Sequence, residues 1–308
     1  MTEPVVLARR LAKSYGSVEA VKGIDFEVAP GSFFGLLGPN GAGKSTTMRM
    51  ISGLARRSSG ELRILGLDPD RHGPRVRAHL GVVPQSDNLD PQLSVRENLI
   101  FHGRYFGLPK AWLASKSAEL LDFAQLVDKR DARVEELSGG MRRRLTIARA
   151  LVSDPPVVLL DEPTTGLDPQ ARHILWDRLF QLKERGTTLL LTTHHMEEAE
   201  QLCERLIVID HGEIVAEGSP ADLVRQHVGR EVVELRFGSG QNQAAAEQVS
   251  GIGDRVEVLP DRVLVYAADG EAALHAVAGR GLEPVSSLVR RCSLEDVFLR
   301  LTGRSLVD

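Results

Sequence analysis

One nine-residue run constrains the fold of this chain more than any other feature. The run is Gly38, Pro39, Asn40, Gly41, Ala42, Gly43, Lys44, Ser45 and Thr46. It has the spacing of a phosphate-binding loop and lies between an apolar run at residues 33–37 and a helical apolar pattern over residues 44–54. Its backbone N–H groups are expected to surround a β-phosphate, while Lys44 places a cation on the β/γ oxygens and Ser45 holds magnesium. The sequence therefore predicts a strand, loop and helix unit that binds a nucleotide.

A second apolar run, residues 157–160, ends in two adjacent carboxylates, Asp161 and Glu162. In a parallel sheet both would emerge at the carboxyl edge, where ligands bind. Asp161 then suits a magnesium shell, through water, and Glu162 can polarise the water that attacks the γ-phosphate. Taken alone, such a pair is also typical of a helix cap, but the phosphate loop upstream favours catalysis. Together the two features predict hydrolysis of ATP with Mg²⁺.

Composition argues against several other classes of protein. The 308 residues have a formal net charge of -4 and a sequence pI of about 6.2, so a basic surface is not expected, and neither is a nucleic-acid partner. Cys203 and Cys292 are too few for a disulfide framework and fit a reducing compartment. No apolar run approaches the roughly 18 residues of a membrane span, and residues 1–4 lack the basic start of a secretory signal. These features predict a cytoplasmic chain.

Beyond the phosphate loop, short apolar strands alternate with helices, which is typical of a parallel sheet covered on both faces. Residues 5–29 are predicted to form short strands interrupted at Gly16 and Gly23, and residues 188–191 a further buried strand. The segment of about 87–150 is interpreted as a helical subdomain inserted into the sheet. Its predicted helices are residues 95–105, 112–123 and 142–151.

The pattern changes near residues 218–220, Gly-Ser-Pro. We expect a nucleotide-binding domain over residues 1–225 and an accessory α+β domain over residues 226–308. The predicted strands of the tail are residues 232–237, 256–259, 263–266 and 285–289, and its predicted helices are residues 244–249, 271–278 and 294–301. The order strand, helix, strand, strand, helix, strand predicts a ferredoxin-like unit.

Two further motifs are ambiguous by themselves. Residues 137–141, Leu-Ser-Gly-Gly-Met, precede a basic run at residues 142–144 and suit a flexible helix start followed by a solvated helix face. His194 and His195 are adjacent, which raises the question of a metal site. Neighbouring positions on a strand face opposite ways, so we do not expect these two to share a metal, and we favour His194 as the functional residue.

Taken with the phosphate loop and the carboxylate pair, these motifs resemble the ATP-binding cassette (ABC) family over residues 5–223. The family's signature sequence reads Leu-Ser-Gly-Gly, and its other elements occur here in the family's order. The resemblance implies that Tyr15 stacks on adenine, that Gln85 senses the γ-phosphate and magnesium, and that His194 is the switch residue beside the γ-phosphate. It also implies that residues 165–168, ending in Asp168, form the loop that links two nucleotide sites.

The resemblance completes a set of candidate residues and a fold. The fold is expected to be an α/β P-loop NTPase with a helical subdomain, followed by a small ferredoxin-like domain. Predicted catalytic residues are Glu162, His194 and Gln85, and predicted magnesium-binding residues are Ser45, Gln85 and Asp161. In this family the phosphate loop of one cassette closes over ATP against the signature of another. One loop and one signature therefore imply a dimer, most simply two copies of this chain. The signature residues Ser138, Gly139 and Gly140 would contact the nucleotide held by the partner's Lys44, and Asp168 of the linking loop is a further predicted nucleotide-binding residue.

Longer runs resemble the nodulation-type export ATPases of the drug and lipo-oligosaccharide ABC-2 exporter class. They are residues 81–85, 87–91, 95–99, 103–106, 164–169, 171–173 and 294–304. The resemblance implies a separate six-helix ABC-2 permease, an amphiphilic cargo, and a peripheral location at the cytoplasmic face of the inner membrane. Leu99, Phe101, Tyr105 and Phe106 would either offer the permease an apolar patch or pack within their own subdomain. Two alternatives stay open: a soluble ABC protein acting on ribosomes or DNA, and an importer ATPase.

Overall fold

The computed structural model describes residues 3–238 and 240–303. Residues outside this description include Met1, Thr2 and Arg304. Arg304 is the last residue of the run 294–304 that resembles the nodulation-type export ATPases. By its internal packing the chain divides into two compact units, Met1–Glu217 and Gly218–Asp308. Across the described part of the chain, no helix is both long enough and apolar enough to span a membrane.

The first unit combines two sheets with seven α-helices among its described residues, and with two short 3₁₀ helices, Val127–Lys129 and Val134–Glu136. In chain order its strands are β1 (Val6–Tyr15), β2 (Val18–Val28), β3 (Phe33–Leu37), β4 (Ser59–Ile64), β5 (Leu80–Val83), β6 (Val157–Asp161), β7 (Thr188–Thr193), β8 (Arg205–Asp210) and β9 (Glu213–Gly218). Its helices are α1 (Lys44–Ile51), α2 (Pro69–Arg77), α3 (Val95–Tyr105), α4 (Lys110–Phe123), α5 (Gly139–Ala150), α6 (Pro169–Glu184) and α7 (Met196–Leu202).

The central sheet has six strands in the order β5-β6-β7-β3-β8-β9. From β5 to β8 each neighbouring pair is parallel. Strands β3, β6 and β7 are buried along almost their whole length, because apolar side chains on both faces of a strand require cover on both faces. The predicted α/β architecture with a parallel sheet is confirmed.

The second sheet of this unit is antiparallel, in the order β2-β1-β4. The predicted turn at Gly16 is confirmed, but the predicted break at Gly23 is wrong. Gly23 has a φ of 76°, and the register shifts beside it between Leu11 and Ala12 of β1. A bulge absorbs the extra residue, so the ladder continues and β2 is one long strand.

The helical segment after β5 contains α3, α4 and α5, and α3 begins and ends where the sequence predicts. Helix α5 begins at Gly139, earlier than the predicted Arg142, because Ser138 caps it. The Ser138 Oγ accepts a hydrogen bond of 3.3 Å from the N–H of Met141. The glycines of the signature therefore lie in the first turn of a helix and not in a flexible start.

The second unit is a small α+β domain. Its elements are α8 (Pro220–His227), β10 (Glu231–Arg236), α9 (Asn242–Val249), β11 (Arg255–Val258), β12 (Val263–Ala267), α10 (Gly270–Gly279), β13 (Ser286–Arg291) and α11 (Leu294–Thr302). The strands pair antiparallel in the order β11-β12-β10-β13, which is the ferredoxin-like arrangement that the sequence predicts. Helix α8 packs against α11 and so belongs to the second unit. The chain therefore divides between residues 217 and 218, before the expected boundary at residue 225.

A buried carboxylate joins strands and helix in this second unit. Asp296 is 1% exposed and accepts hydrogen bonds of 2.7 and 2.9 Å from the Arg290 guanidinium. The N–H of Ser293 donates to it at 2.7 Å and the Tyr266 hydroxyl at 3.2 Å. Burial acts to raise the pKa of Asp296, but the hydrogen bonds from Arg290 and Ser293 outweigh burial and lower it.

We expect Asp296→Asn to destabilise the second unit by about 3 kcal/mol at neutral pH, because it leaves the partly buried Arg290 without its bidentate partner. Amide hydrogen exchange in β10 and β12 of the full chain should then be about a hundredfold faster. Because the folded-state pKa is lowered, this stabilisation is present above the ordinary aspartate pKa and is lost as pH falls through the lowered value, so parent and variant should converge in acid. Asp261→Asn, at a half-exposed carboxylate, is the control. Equal exchange in the two variants would contradict the prediction.

Candidate nucleotide-binding and catalytic site

Four neighbouring strands bring the candidate residues to one edge of the central sheet. The phosphate loop follows β3, the carboxylate pair lies at the end of β6, His194 follows β7, and Gln85 follows β5. Strand pairing aligns these ends, with Leu37 of β3 opposite Thr193 of β7. The segments that follow the strands therefore meet at the carboxyl edge, where parallel sheets bind ligands.

The phosphate loop folds around the ammonium of Lys44. Gly43 has a φ of 109°, and a Cβ there would lie 2.5 Å from the carbonyl oxygen of Ala20, so this position requires glycine. The Lys44 Nζ donates hydrogen bonds of 2.7 and 3.0 Å to the carbonyl oxygens of Gly38 and Pro39, and the residue is only 4% exposed. A buried cation is thus held at the N-terminus of α1, an arrangement suited to phosphate.

A cavity of about 360 Å³ lies over this loop. Its lining residues are Ala20, Pro39, Asn40, Gly41, Gly43, Lys44, Ser45, Thr46, Gln85 and Glu162. Most of the predicted phosphate loop therefore faces one cavity, which Gln85 and Glu162 reach from neighbouring strands. The lining does not include the predicted nucleotide contacts Tyr15, Ser138, Gly139, Gly140 and Asp168.

The carboxylate of Glu162 lies at the centre of the site and is 6% exposed. The Gln85 amide donates a hydrogen bond of 3.1 Å to Oε2, and the Thr165 hydroxyl donates one of 3.2 Å to the same oxygen. His194 Nδ1 lies 3.2 Å from Oε1, and Lys44 Nζ lies 3.7 Å from it. The structure thus brings all three predicted catalytic residues together with the lysine of the phosphate loop.

The carboxylate of Asp161 lies beside the start of α1. The Ser45 hydroxyl donates a hydrogen bond of 3.2 Å to Asp161 Oδ1, and the Thr192 hydroxyl donates to the same oxygen. Hydroxyl and carboxylate oxygens are the ligands that Mg²⁺ prefers, so this pair fits a magnesium ion. Burial lowers the pKa of the neighbouring Lys44, and the charges of Glu162 and Asp161 oppose that shift.

The two histidines lie just beyond β7, which ends at Thr193. Their rings contact each other, with centroids 4.1 Å apart, so the expectation that they face opposite ways is wrong. Side chains alternate only within a strand, and these residues occupy the bend and helix start that follow it. His194 reaches Glu162, whereas burial, together with the charge of His194, lowers the pKa of His195.

The signature residues form a surface of their own. Ser138 and Gly139 are exposed at the start of α5, and a Cβ on Gly140 would lie 3.8 Å from the Leu167 side chain. Asp168 caps α6 and accepts a hydrogen bond of 2.9 Å from a backbone N–H of that helix. The signature and the loop at residues 165–168 therefore lie side by side within one chain.

Tyr15 lies at the end of β1, beside the turn into β2. Its ring is 46% exposed, and the ammonium of Lys13 lies 4.6 Å from the ring centroid. Strand β2 carries Ala20, which lines the cavity. The aromatic side chain therefore belongs to the strand pair that borders the phosphate loop.

Two threonine contacts with the catalytic carboxylates are not among the predictions from the sequence. Thr165 binds the Glu162 carboxylate, and Thr192 binds Asp161 through its hydroxyl. Thr192 also accepts a hydrogen bond of 3.1 Å from the N–H of Glu162 at its own hydroxyl. The sequence does contain an indication of this contact, because Thr192 directly follows the predicted buried strand at residues 188–191, and a buried hydroxyl needs a polar partner.

The interpretation of the basic run as a solvated face is wrong for Arg143, which is 4% exposed. Its guanidinium donates hydrogen bonds of 3.0 Å to the carbonyl oxygens of both Asp161 and Glu162. The helical spacing of the sequence does indicate that Arg143 is buried. Arg143 lies on the same face as Ile147 and Ala150, both buried, and one polar residue in an apolar stripe points inward with it.

Two family models match the sequence in separate places. The model of the ABC transporter family matches residues 21–165. The model of the C-terminal domain of the nodulation factor export protein NodI matches residues 242–303. The first match lies in the first compact unit, and the second match lies in the second unit.

Curated relatives match along almost the whole chain. A Nod factor export ATP-binding protein I from Paraburkholderia xenovorans (strain LB400) is 50% identical over 308 residues, which are 100% of this chain and 100% of the relative. The protein of the same name from Rhizobium meliloti (strain 1021) is 49% identical over 298 residues, which cover 97% of this chain and 88% of the relative.

Solved structures share the fold. An ATP-binding subunit of an ABC transporter is 30% identical with a TM-score of 0.66, covering 72% of this chain and 92% of that one. A dimeric, post-hydrolysis ATP-binding cassette bound to ADP and Pi is also 30% identical, with a TM-score of 0.63, covering 70% of this chain and 98% of that one. The predicted P-loop NTPase fold is confirmed.

Proposed function

The chain belongs to the ABC transporter family, among the Nod factor export ATP-binding proteins, and from that membership we propose how its site drives export. It is the ATP-hydrolysing subunit of an exporter and acts with a separate membrane permease. The observation that carries the proposal is the contact of one buried carboxylate, Glu162, with Lys44, Gln85 and His194. A carboxylate beside the phosphate-binding lysine is placed for a reaction at the γ-phosphate.

Phosphoryl transfer to water needs in-line geometry and charge stabilisation more than covalent chemistry. Lys44 and the loop N–H groups bind the β- and γ-phosphates. Glu162 accepts a hydrogen bond from the attacking water and orients it, while Gln85 and His194 hold the carboxylate from two sides and contact the γ-phosphate. Tyr15, exposed on β1, stacks on the adenine ring.

A magnesium ion belongs to the same site in this proposal. Ser45 and Asp161 would hold it, with Gln85 as a further oxygen ligand, and the ion when bound neutralises charge on the β/γ-phosphate oxygens. The support is the approach of the Ser45 hydroxyl to Asp161 at 3.2 Å, directly after the phosphate loop.

We further propose that two copies of the chain form the complete site. Ser138 and Gly139 are exposed, and neither they, Gly140 nor Asp168 line the cavity over Lys44. A surface of this kind is free to contact the nucleotide held by the partner's Lys44. Similarity to a dimeric cassette bound to ADP and Pi supports the arrangement. Closure of the dimer on ATP and its reopening after hydrolysis then drive the permease.

The permease in this proposal is of the six-helix ABC-2 type, and the chain binds it at the cytoplasmic face of the inner membrane. The cargo is a Nod factor or a similar amphiphilic lipo-oligosaccharide, by similarity to the named relatives. The cassette is the first compact unit, with residues 87–150 as its helical subdomain, and the second unit is an accessory domain. An ATPase of this kind has no need to touch the cargo itself.

Two exposed aromatic residues on α3 are the candidate contacts with the permease, and Tyr105 is the more exposed of them. Tyr105, at the end of α3, is 87% exposed and Phe101 is 41% exposed, whereas Leu99 is 1% exposed and packs inside the subdomain. The Phe106 ring packs on His102, with centroids 5.4 Å apart. Of the four residues proposed for an apolar patch, Tyr105 and Phe101 are thus available to a partner.

We expect Tyr105→Glu to uncouple hydrolysis from export. A charge there opposes burial against an apolar permease surface but touches no residue of the nucleotide site. The rate of ATP-dependent transport of a labelled lipo-oligosaccharide into inverted vesicles, which measures export, should fall at least about tenfold. ATP turnover should stay within about twofold of the parent. Val285→Glu, 81% exposed in the second unit, is the control. Undiminished efflux by the Tyr105→Glu chain would remove this residue from the coupling surface.

The proposed function is tested by capture of the tagged Glu162→Gln chain from solubilised membranes in the presence of ATP, followed by mass spectrometry. Recovery of a six-helix permease supports the exporter. Recovery of ribosomal or DNA-repair proteins would favour a soluble ABC protein, and a permease encoded with a periplasmic binding protein would favour an importer. Capture without nucleotide provides the background.

A further inference from the structure

Arg143 connects the signature helix to both catalytic segments of its own chain. It lies on α5, five positions after Ser138, and its side chain is buried. The guanidinium donates to five main-chain carbonyl oxygens, those of Pro84, Gln85, Asp161, Glu162 and Pro163. Two of these residues follow β5 and three lie at the end of β6 or just beyond it. One side chain thus holds both segments that carry the catalytic glutamine and the catalytic carboxylate.

The geometry requires the shape of arginine and not charge alone. Nε donates at 2.7 Å to Pro163, and Nη2 donates at 3.0 Å to both Asp161 and Glu162, while Nη1 is directed at the segment after β5. A planar guanidinium presents five N–H donors in a fixed fork. A lysine at this position has one nitrogen, which cannot reach carbonyl groups on both sides at once.

The segment that Arg143 holds includes a strained residue. Glu162 has a φ of 46°, in the left-handed region that residues other than glycine rarely occupy. Such a conformation persists only where its surroundings hold it. Its N–H is held by the carbonyl oxygen of Thr192 at 3.1 Å, and its own carbonyl is held by Arg143 at 3.0 Å. The orientation of the Glu162 carboxylate therefore depends on the position of Arg143, and so on the position of α5.

The exposed signature forms the first turn of α5, and Arg143 lies in the next turn, so this end of the helix joins two functional surfaces. We propose that Arg143 is a positioning residue through which nucleotide bound at the signature of a chain sets the catalytic geometry of Glu162 and Gln85 in that same chain. This inference rests on the proposed dimer, in which the signature of each chain contacts the nucleotide held by the other. Hydrolysis at one nucleotide site then depends on occupancy of the second, and ATP turnover is cooperative.

The test compares Arg143→Gln and Arg143→Lys with Arg144→Gln in the full chain. Arg144 lies on the same helix, but its guanidinium donates to Ala124 and Gln125, after α4 and outside the catalytic segments. We expect both Arg143 variants to lower kcat at least about thirtyfold and to bind ATP within about threefold of the parent, because transition-state geometry is lost and ground-state binding is not. The Hill coefficient for ATP should fall from about 2 toward about 1.

Five outcomes would overturn the role of Arg143 as a positioning residue. An Arg143→Lys chain with the parent's kcat and Hill coefficient overturns the inference, since the fork would then be dispensable. Equal losses in Arg144→Gln overturn it also, as do two Arg143 variants that both fail to fold by circular dichroism, because Arg143 would then serve stability. A parent chain that hydrolyses ATP without cooperativity overturns the inference but leaves the proposed ATPase intact. A parent chain without ATP turnover overturns both.

Discussion

Replacing Glu162 by glutamine should slow ATP turnover severely without weakening ATP binding. The amide keeps the size of the side chain and its ability to bond with Gln85 and Thr165, but it loses the charge that orients and polarises the attacking water. We expect kcat to fall roughly a hundredfold to ten-thousandfold. Affinity for ATP should be unchanged or higher, since a negative charge is removed beside the γ-phosphate. Phosphate release and equilibrium binding of a fluorescent ATP analogue measure the two quantities separately.

A matched carboxylate provides the control for this variant. Glu197 lies on α7, where its side chain is 62% exposed and pairs with Arg172 at 3.5 Å. Glu197→Gln removes the same charge outside the cavity and should leave turnover within about twofold of the parent, as expected for an exposed pair. If Glu162→Gln hydrolyses ATP as fast as Glu197→Gln, Glu162 is not the residue that activates water.

Replacing Lys44 by alanine should weaken ATP binding itself, the step that precedes hydrolysis. Its side chain is 4% exposed, and its ammonium is already oriented by the carbonyl oxygens of Gly38 and Pro39, so the phosphates meet a cation that needs no reorganisation. Charge-assisted hydrogen bonds to such a group are each worth about 1.5–3 kcal/mol, so the Kd for ATP should rise about a hundredfold. Isothermal titration with Mg-ATP measures this directly.

A distant lysine separates the loss of a phosphate ligand from the loss of any positive charge. Lys183 pairs with Glu204 at 2.6 Å, and its side chain is 31% exposed. Lys183→Ala should bind ATP like the parent. If Lys44→Ala has the circular dichroism spectrum of the parent and also binds ATP as tightly as Lys183→Ala, the phosphate loop does not use its lysine to bind ATP in this protein.

Local patterns made the phosphate-binding half of the site predictable. A glycine-rich turn between an apolar strand and a helix has few structural solutions, and the approach of Gly43 to Ala20 shows why the glycine is needed. The parallel sheet then accounts for the meeting of Lys44, Gln85 and Glu162, because loops after parallel strands share an edge. The strand order of the sheet was not predicted, since it depends on which distant strands pair.

The errors come from contacts between elements that are distant in sequence. Arg143 belongs to a basic run, which favours a solvated face, and only the approach of the segments after β5 and β6 provides the carbonyl groups that satisfy it in the interior. The alternation expected of His194 and His195 applies only within a strand, and β7 ends before them, at Thr193. The sequence predicts a break at Gly23 because glycine with a positive φ occurs both in turns and in bulges.

The proposal that two copies of the chain form the complete site is tested most directly by the mass of the Glu162→Gln chain with and without Mg-ATP. Light scattering during size-exclusion chromatography measures this mass. With Mg-ATP we expect a species of twice the 33.7 kDa of one chain, with one ATP retained per chain, and dissociation when ADP replaces ATP. Ser138→Arg should prevent this dimer, because the larger side chain blocks the signature surface. A chain that binds ATP and stays monomeric, or a dimer that forms equally with ADP, would contradict a site built from two half-sites that closes on ATP.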